Sequence, residues 1–123
     1  MIEVGAIKEL VDQYAPHKWV LRRVLLSELT LAKFSEEIRI QFPSAETVSS
    51  EVEALWFSRK NKASETWELR RLGGPPYALV EVIDDTVPAD EREARLALLE
   101  TEMAEHKAVS PGNINGEIPS GNL

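Results

Sequence analysis

The segment from residue 50 to residue 84 constrains the fold more than any other part of the chain. It contains three strand-like runs, each separated from the next by a short turn. The runs are SEVEALWFSR at 50–59, ETWELRRL at 65–72 and YALVEVID at 77–84, and the turns are KNKAS and GGPP. Aromatic and β-branched runs separated by such turns are typical of hairpins. The segment is therefore predicted to form an antiparallel meander of three strands.

The rest of the chain is predicted to supply three helices and one more strand. Apolar residues recur at helical spacing in the first segment, which Pro16 ends. Residues 28–42 fit both a helical stripe and an alternating strand, and the longer pattern favours a helix. The polar segment SAETVSS, which follows it, is predicted to be a loop. The predicted helices are 2–14, 29–41 and Pro88 to about His106, and the additional strand is 17–26.

The order of these elements, α-β-α-β-β-β-α, predicts an α+β fold. We expect a two-layer sandwich, in which an antiparallel sheet of about four strands carries the helices on one face. A chain of 123 residues is long enough for one domain and not for two. That domain is predicted to cover 1–106. Residues 107–123 are rich in Gly, Pro, Asn and Ser, which predicts a flexible tail.

Side chains alternate across a strand, so the meander can be divided into two faces. A tight turn at 60–63 would place Phe57 opposite Trp67 and create an apolar core face. The predicted core face consists of Leu55, Phe57, Trp67, Leu69, Ala78, Val80 and Val82. The opposite face would be mixed and exposed, with Trp56, Ser58, Glu68, Arg70, Tyr77, Leu79 and Glu81.

The mixed face has two interpretations. Arg70 between two glutamates and beside an exposed Trp56 is typical of a salt-paired sheet surface without any ligand, and this interpretation carries more weight. The alternative is a shallow site for a partner or for a planar or anionic ligand, because aromatic and arginine side chains commonly anchor interfaces. The candidate residues on this face are Trp56, Glu68, Arg70, Tyr77 and Glu81.

Two consecutive arginines, Arg22 and Arg23, are further candidates. In an extended strand they would point to opposite faces, so at least one would lie near the core and need a partner. The other could help Arg70 to hold an anion. The sequence leaves open which arginine has which role.

Catalytic chemistry has little support in the sequence. The chain has no cysteine, and both histidines, His17 and His106, are expected at the surface. We find no H-x-x-x-H pair, no ligand-forming carboxylate cluster and no G-x-S-x-G motif. No metal site or cofactor is therefore predicted, and an enzyme is the less favoured class.

The net charge of −7 is concentrated in one segment, because residues 81–105 contain nine acidic and two basic side chains. Such a surface repels phosphate backbones, so nucleic acid is not an expected partner. No apolar run approaches the ~20 residues of a membrane span. The absence of cysteine fits a reducing compartment, and the N-terminus does not resemble a secretory signal. These features predict a cytoplasmic protein with no membrane association.

The predicted function is that of a small acidic protein-binding domain of the adaptor, chaperone or inhibitor type. Its partner would be another protein or a second copy of the chain. The alternative is a small-molecule binding protein or enzyme that uses the mixed sheet face.

Overall fold

A computed structural model describes residues 3–108. These residues form helices α1 (Val4–Tyr14), α2 (Glu28–Gln41) and α3 (Ala89–Ala108), with a short 3-10 helix at Ala15–His17. The strands are β1 (Val20–Leu26), β2 (Glu46–Ser49), β3 (Ala54–Lys60), β4 (Ser64–Arg71) and β5 (Ala78–Asp84). The predicted α+β class and element order are confirmed, with β2 as one additional strand in the segment predicted to be a loop. The predicted tail lies outside the described residues, except that 107 and 108 continue the backbone of α3.

The five strands form one open sheet in the order β2-β1-β3-β4-β5. The pairs β1–β3, β3–β4 and β4–β5 are antiparallel, as the meander predicts. The pair β1–β2 is parallel, because α2 returns the chain to the starting end of β1. Strands β2 and β5 are consequently the two edges of the sheet.

The hairpin between β3 and β4 is displaced by one residue from its predicted register. Ser58, and not Phe57, lies opposite Trp67. The side-chain amide of Asn61 explains the difference, because it donates to Ser64 Oγ at 2.9 Å and to a second hydroxyl two residues further on. These bonds set the turn one residue later than predicted. A shift of one residue moves every side chain to the other face.

The hairpin between β4 and β5 is displaced in the same way. The sequence leaves two registers open, with either Glu68 or Arg70 opposite Glu81, but the structure places Trp67 opposite Glu81 and Val80 opposite Glu68. The connection is longer than the GGPP turn, because the amide of Leu72 donates to the carbonyl of Glu53 and does not pair with β5. The two glycines of this connection both have positive φ, as their sequence predicts. As a result, each side chain of β4 shares a face with the side chains of β3 and β5 that were predicted to lie on the opposite face.

Helices cover both faces of the sheet, whereas the sequence predicted helices on one face only. We call the side covered by α1 and α2 the front face. Its buried cluster is Val4, Ile7, Leu21, Val24, Leu26, Ile38, Leu55, Phe57 and Leu72. We call the side covered by α3 the back face. Its buried cluster is Leu25, Val52, Ala54, Trp56, Trp67, Leu69, Ile83, Leu96 and Met103.

The central strand β3 accounts for this arrangement, since all side chains from Ala54 to Ser58 are buried. A strand that is apolar on both sides requires cover on both sides. None of the helices within residues 3–108 is long and apolar enough to cross a membrane.

Candidate functional site

Trp56 lies on the back face and is completely buried, in contrast to its predicted exposure. Its indole Nε1 donates a hydrogen bond to Glu100 Oε2 of α3 at 2.7 Å. The ring meets Trp67 edge-on, with 6.0 Å between the ring centroids. Trp56 is therefore part of the core beneath α3 and is not accessible to a partner.

Arg22 and Arg23 both lie on the back face, although an ideal strand would separate them. The pairing of β1 with β3 is interrupted by a bulge between Leu21 and Arg23, and the extra residue turns both arginines to one side. Their guanidinium carbons stand 4.7 Å and 5.7 Å from the ring centroid of Trp67. Both arginines thus help to enclose a buried tryptophan.

Each of these arginines has acidic partners. Arg22 Nη1 donates to Ser58 Oγ at 2.8 Å and lies 3.3 Å from a Glu65 carboxylate oxygen. Arg23 Nη2 donates to Glu93 Oε2 of α3 at 2.8 Å, and its Nε lies 3.3 Å from a Glu46 oxygen. Burial by itself would lower the pKa of Arg23, but the hydrogen bond to Glu93 and the nearby carboxylates raise that pKa on balance.

A cleft of about 350 Å³ lies next to Arg23, between α3 and the β1–β2 edge. Its lining residues are Arg23, Glu46, Val48, Glu93, Leu96, Ala97 and Glu100. Three carboxylates outnumber one guanidinium that is already paired, so the cleft disfavours the predicted anionic ligand. Within residues 3–108, no group of three or more His, Asp or Glu side chains is placed to hold a metal ion.

Tyr77, immediately before β5, and Glu81, in the middle of β5, both contact α3. The Tyr77 ring stacks on His106 with 3.8 Å between centroids, and the Arg71 guanidinium lies 5.2 Å from the same ring. Partial burial, followed by the charge of a nearby glutamate, raises the pKa of Tyr77. Glu81 Oε2 lies 3.7 Å from Arg95 Nη1 of α3. Both side chains therefore attach α3 to the edge of the sheet.

Glu68 and Arg70 lie on the front face, where both contact Tyr14 at the end of α1. The Tyr14 hydroxyl donates to the Glu68 carboxylate, and Arg70 Nη1 donates to the Tyr14 oxygen at 3.4 Å. Tyr14 stacks on Phe57 with 4.1 Å between centroids. Burial, and then the hydrogen bond to Glu68, raise the pKa of Tyr14. A helix residue that the sequence did not nominate is thus the centre of this cluster.

Arg70 differs from Arg22 and Arg23 of the back face because it has no ion pair within residues 3–108. The described part of the chain places no carboxylate within 4.0 Å of its guanidinium nitrogens. Its Nε is buried and has no hydrogen-bond partner there. A half-buried guanidinium with one weak hydrogen bond can still donate to a carboxylate of another molecule and form an ion pair with it.

Next to Arg70, no helix of residues 3–108 covers the front side of β5. Val80 and Val82, which the sequence assigned to the core, are 53% and 57% exposed. Helices α1 and α2 pack over β1 and β3 and leave this part of the sheet open. Ala78, at the start of the strand, is also exposed. In the part of the chain that the structure describes, the front of β5 is therefore a small apolar surface beside a positive charge without an ion pair.

The backbone of β5 is equally open. The carbonyl of Tyr77 accepts from β4, and the amide of Asp85 donates back towards it, so the odd-numbered residues bond to β4. In an antiparallel pair the alternate residues point their amides and carbonyls the other way. These outward residues are Ala78, Val80, Val82 and Asp84. No other strand among residues 3–108 pairs with this side of β5.

The sheet divides the predicted site into two groups that cannot act together. Trp56, Tyr77, Glu81, Arg22 and Arg23 lie on the back face, and Glu68 and Arg70 lie on the front face. Residues that the sequence analysis missed as candidates are Tyr14, Val80, Val82 and Asp84. The alternation of small and β-branched residues in ALVEVID was the available signal, but an exposed valine and a core valine look identical in sequence.

Comparison of the chain with protein-family models, with curated proteins and with solved structures gave no match.

Proposed function

We propose that this protein binds another polypeptide by adding an extended segment of its partner to the open edge of β5. One observation supports the proposal above all: outward backbone groups and half-exposed valines occur together along the same strand. In strand addition, main-chain hydrogen bonds supply affinity, and alternate side chains supply specificity. An uncovered apolar edge strand is otherwise a liability that proteins avoid.

The chemistry beside β5 specifies the partner segment. Apolar or β-branched residues at alternate positions would lie beside Val80 and Val82. An acidic residue near the start of β5 would meet Arg70. The segment should therefore be extended, apolar on one side and acidic at one position.

The alternative function, a small-molecule site or enzyme, has less support. A site for an anionic ligand required Arg70 to act together with Arg22 or Arg23. Arg70 lies on the front face and the other two arginines lie on the back face, so the sheet separates them. The cleft beside Arg23 carries an excess of carboxylates. Cytoplasm remains the proposed compartment, because the chain lacks cysteine, and an adaptor, chaperone or inhibitor is the proposed type of role.

A proline scan of the edge tests the proposal. Val82→Pro removes an amide that points away from β4, so it should block strand addition and leave the sheet intact. Val82→Thr is the matched control, because it keeps both the amide and the β-branched shape.

A random-peptide display library is the probe, and each variant is first checked for retained fold by circular dichroism. We expect the parent chain and Val82→Thr to select peptides with alternating apolar residues, and Val82→Pro to lose them. Recovery of the same peptides by folded Val82→Pro would contradict the proposal, and so would failure of the parent chain to select any.

A further inference from the structure

We propose that β5 pairs with β5 of a second copy of this chain, in an antiparallel arrangement about a two-fold axis at Glu81. The result is a dimer with one continuous sheet across both copies. This inference depends on the proposed function, because it names the partner at the same edge. A two-fold axis normal to the sheet places identical strands antiparallel, which is the closed arrangement that most homodimers adopt.

The outward backbone groups restrict the register of this pairing. They belong to even-numbered residues, so each even-numbered residue must face an even-numbered residue of the second copy. Among these registers, the one centred on Glu81 pairs every residue of β5. It places Val80 opposite Val82 of the second copy and Ala78 opposite its Asp84. Roughly eight main-chain hydrogen bonds would form, two for each of the four facing pairs.

This register also supplies the missing partner of Arg70. Arg70 lies opposite Ala78 within the chain, so Asp84 of the second copy falls in the same row on the front face. The two Cα atoms would be about 10 Å apart, which is twice the strand spacing. The alanine between them leaves room for the arginine side chain to extend across it.

The side chain of Asp84 is held in place by hydrogen bonds within its own chain. Its Oδ1 accepts from the Thr86 amide at 2.9 Å and from the Thr86 hydroxyl at 2.7 Å, which fixes the side chain and leaves Oδ2 available. These bonds lower the pKa of Asp84, so its carboxylate is charged at neutral pH. By symmetry each dimer contains this pair twice.

On the back face the same register is compatible with the side chains already in place. Leu79 lies opposite Ile83 of the second copy, and both are apolar. Glu81 lies opposite Glu81 of the second copy, which is unfavourable by itself. Each glutamate has Arg95 at 3.7 Å, so the axis would be surrounded by two negative and two positive charges.

The dimer should be weak. A contact dominated by one strand pair falls at the low end of interface size. The net charge of −7 on each copy also opposes association at low ionic strength. Measurements therefore belong at physiological salt or above, over a wide range of protein concentration.

Cysteine cross-linking tests the register directly, because the chain contains no cysteine. In a pair that is not hydrogen-bonded, facing Cα atoms are about 4.5 Å apart, which a disulfide can span. Glu81→Cys should therefore form a covalent dimer on mild oxidation. Val80→Cys alone should not, because each Val80 faces Val82 of the other copy. A mixture of Val80→Cys and Val82→Cys chains should form the mixed disulfide.

Leu98→Cys, on the exposed side of α3, reports random collision. Cross-linking of Glu81→Cys no faster than this control would overturn the inference. Efficient self-cross-linking of Val80→Cys would overturn the register.

Sedimentation velocity of the unmodified chain gives a second, independent result. We expect concentration-dependent dimers, weaker dimers for Arg70→Asp and for Asp84→Arg, and recovery in the double exchange. A monomer up to about 1 mM, where a weak interface of this size should be populated, would overturn the inference. Dimers that persist in folded Val82→Pro would do the same.

These outcomes are distinct from those of the peptide experiment. A monomeric chain that selects peptides in a Val82-dependent way would lose the dimer and keep the proposed function. A chain that neither dimerises nor selects peptides would lose both.

Discussion

The two faces of the β4–β5 hairpin differ in how their charges and apolar groups are accommodated. On the back, α3 covers the hairpin, and four of the five arginines near it have an acidic partner. The fifth, Arg71, instead donates to the carbonyl of Pro75 and lies against the Tyr77 ring. On the front, within residues 3–108, no helix covers β5, two valines are more than half exposed, and Arg70 has no ion pair. The same short segment thus contributes one closed surface and one open surface.

The comparison shows that charge and aromatic content do not by themselves identify a binding surface. The back face holds more arginine and tryptophan than the front, yet most of its charged groups are paired with one another. Within residues 3–108 its buried exceptions are Trp67 Nε1 and Arg71 Nε, which have no hydrogen-bond partner. Buried polar groups that are fully paired are part of the structure. Within residues 3–108 the outward backbone groups of β5 have no strand partner and the guanidinium of Arg70 has no ion pair, and both are accessible, so they have free energy to gain from a partner.

The largest expected difference between the faces is in packing. Trp67→Ala and Trp56→Ala should each lower the free energy of unfolding by ~3–5 kcal/mol, because both rings are fully buried. Val80→Ala should change it by less than about 0.5 kcal/mol, as is usual for an exposed position. Urea unfolding measures all three. A loss at Val80 equal to that at Trp67 would show that the front of β5 is covered.

The second difference concerns the arginines. Arg23→Met leaves Glu93 without its main partner in a half-buried setting and should cost about 2–3 kcal/mol, somewhat below a fully buried pair. Arg70→Met loses one weak hydrogen bond, to Tyr14, and should cost about 0.5–1 kcal/mol. The same chemical unfolding experiment compares them. If Arg70→Met proved the more destabilising, Arg70 would be a structural residue and not an available one.

The third difference is the pH dependence of the back face. The hydrogen bond from Arg23, and after it the charges of Arg23 and Arg92, lower the pKa of Glu93 below its usual value of 4.5, although partial burial opposes this. A carboxyl whose pKa is depressed by folding stabilises the fold above its unfolded pKa, and this contribution is lost as pH falls through the folded pKa.

The parent chain should therefore lose stability steeply as pH falls below 4.5, and Glu93→Gln should flatten part of that slope. Thermal unfolding between neutral pH and pH 3 provides the measurement. An identical slope in Glu93→Gln would rule out this ion pair as the source.

The smallest effect is expected on the front face, at Tyr14. Its raised pKa means that the fold favours the protonated phenol, so this stabilisation is present below pH 10 and is lost as pH rises through the folded pKa. In a Tyr77→Phe background, which removes the other tyrosine, ultraviolet titration follows Tyr14 alone. Glu68→Gln should lower that pKa, whereas Glu65→Gln, on the other side of β4, should leave it unchanged. If Glu68→Gln left the pKa of Tyr14 unchanged, Glu68 would not be a cause of the raised pKa.

The elements that repeat a pattern over many residues were predictable from the sequence. The three strands of the meander and the helices α1, α2 and α3 all form close to their predicted positions. The ambiguous segment 28–42 carried a further helix signal, because Ser27 caps α2 by accepting from the Thr30 amide. The strand β2 was too short, at four residues, for its alternation to be distinguished from a loop.

The candidate site was less predictable, because it depends on single-residue events. One side chain, Asn61, moves the first turn by one position, and one amide, that of Leu72, lengthens the second. The bulge next to Arg22 has no signature in the alternating pattern. Each of these events reverses the faces of a strand, so residues assigned to the core, such as Val80, are exposed, and Trp56 is buried.

The order of the strands also has a consequence for how the chain folds. Strands β3 and β4 each pair with the next strand along the chain, whereas the bond between Tyr14 and Glu68 joins positions 54 residues apart. Closing a long loop costs more conformational entropy than closing a hairpin, so we expect the meander to be ordered in the folding transition state and α1 to dock later. Truncation of Trp56 should then slow refolding, while Tyr14→Phe should mainly accelerate unfolding.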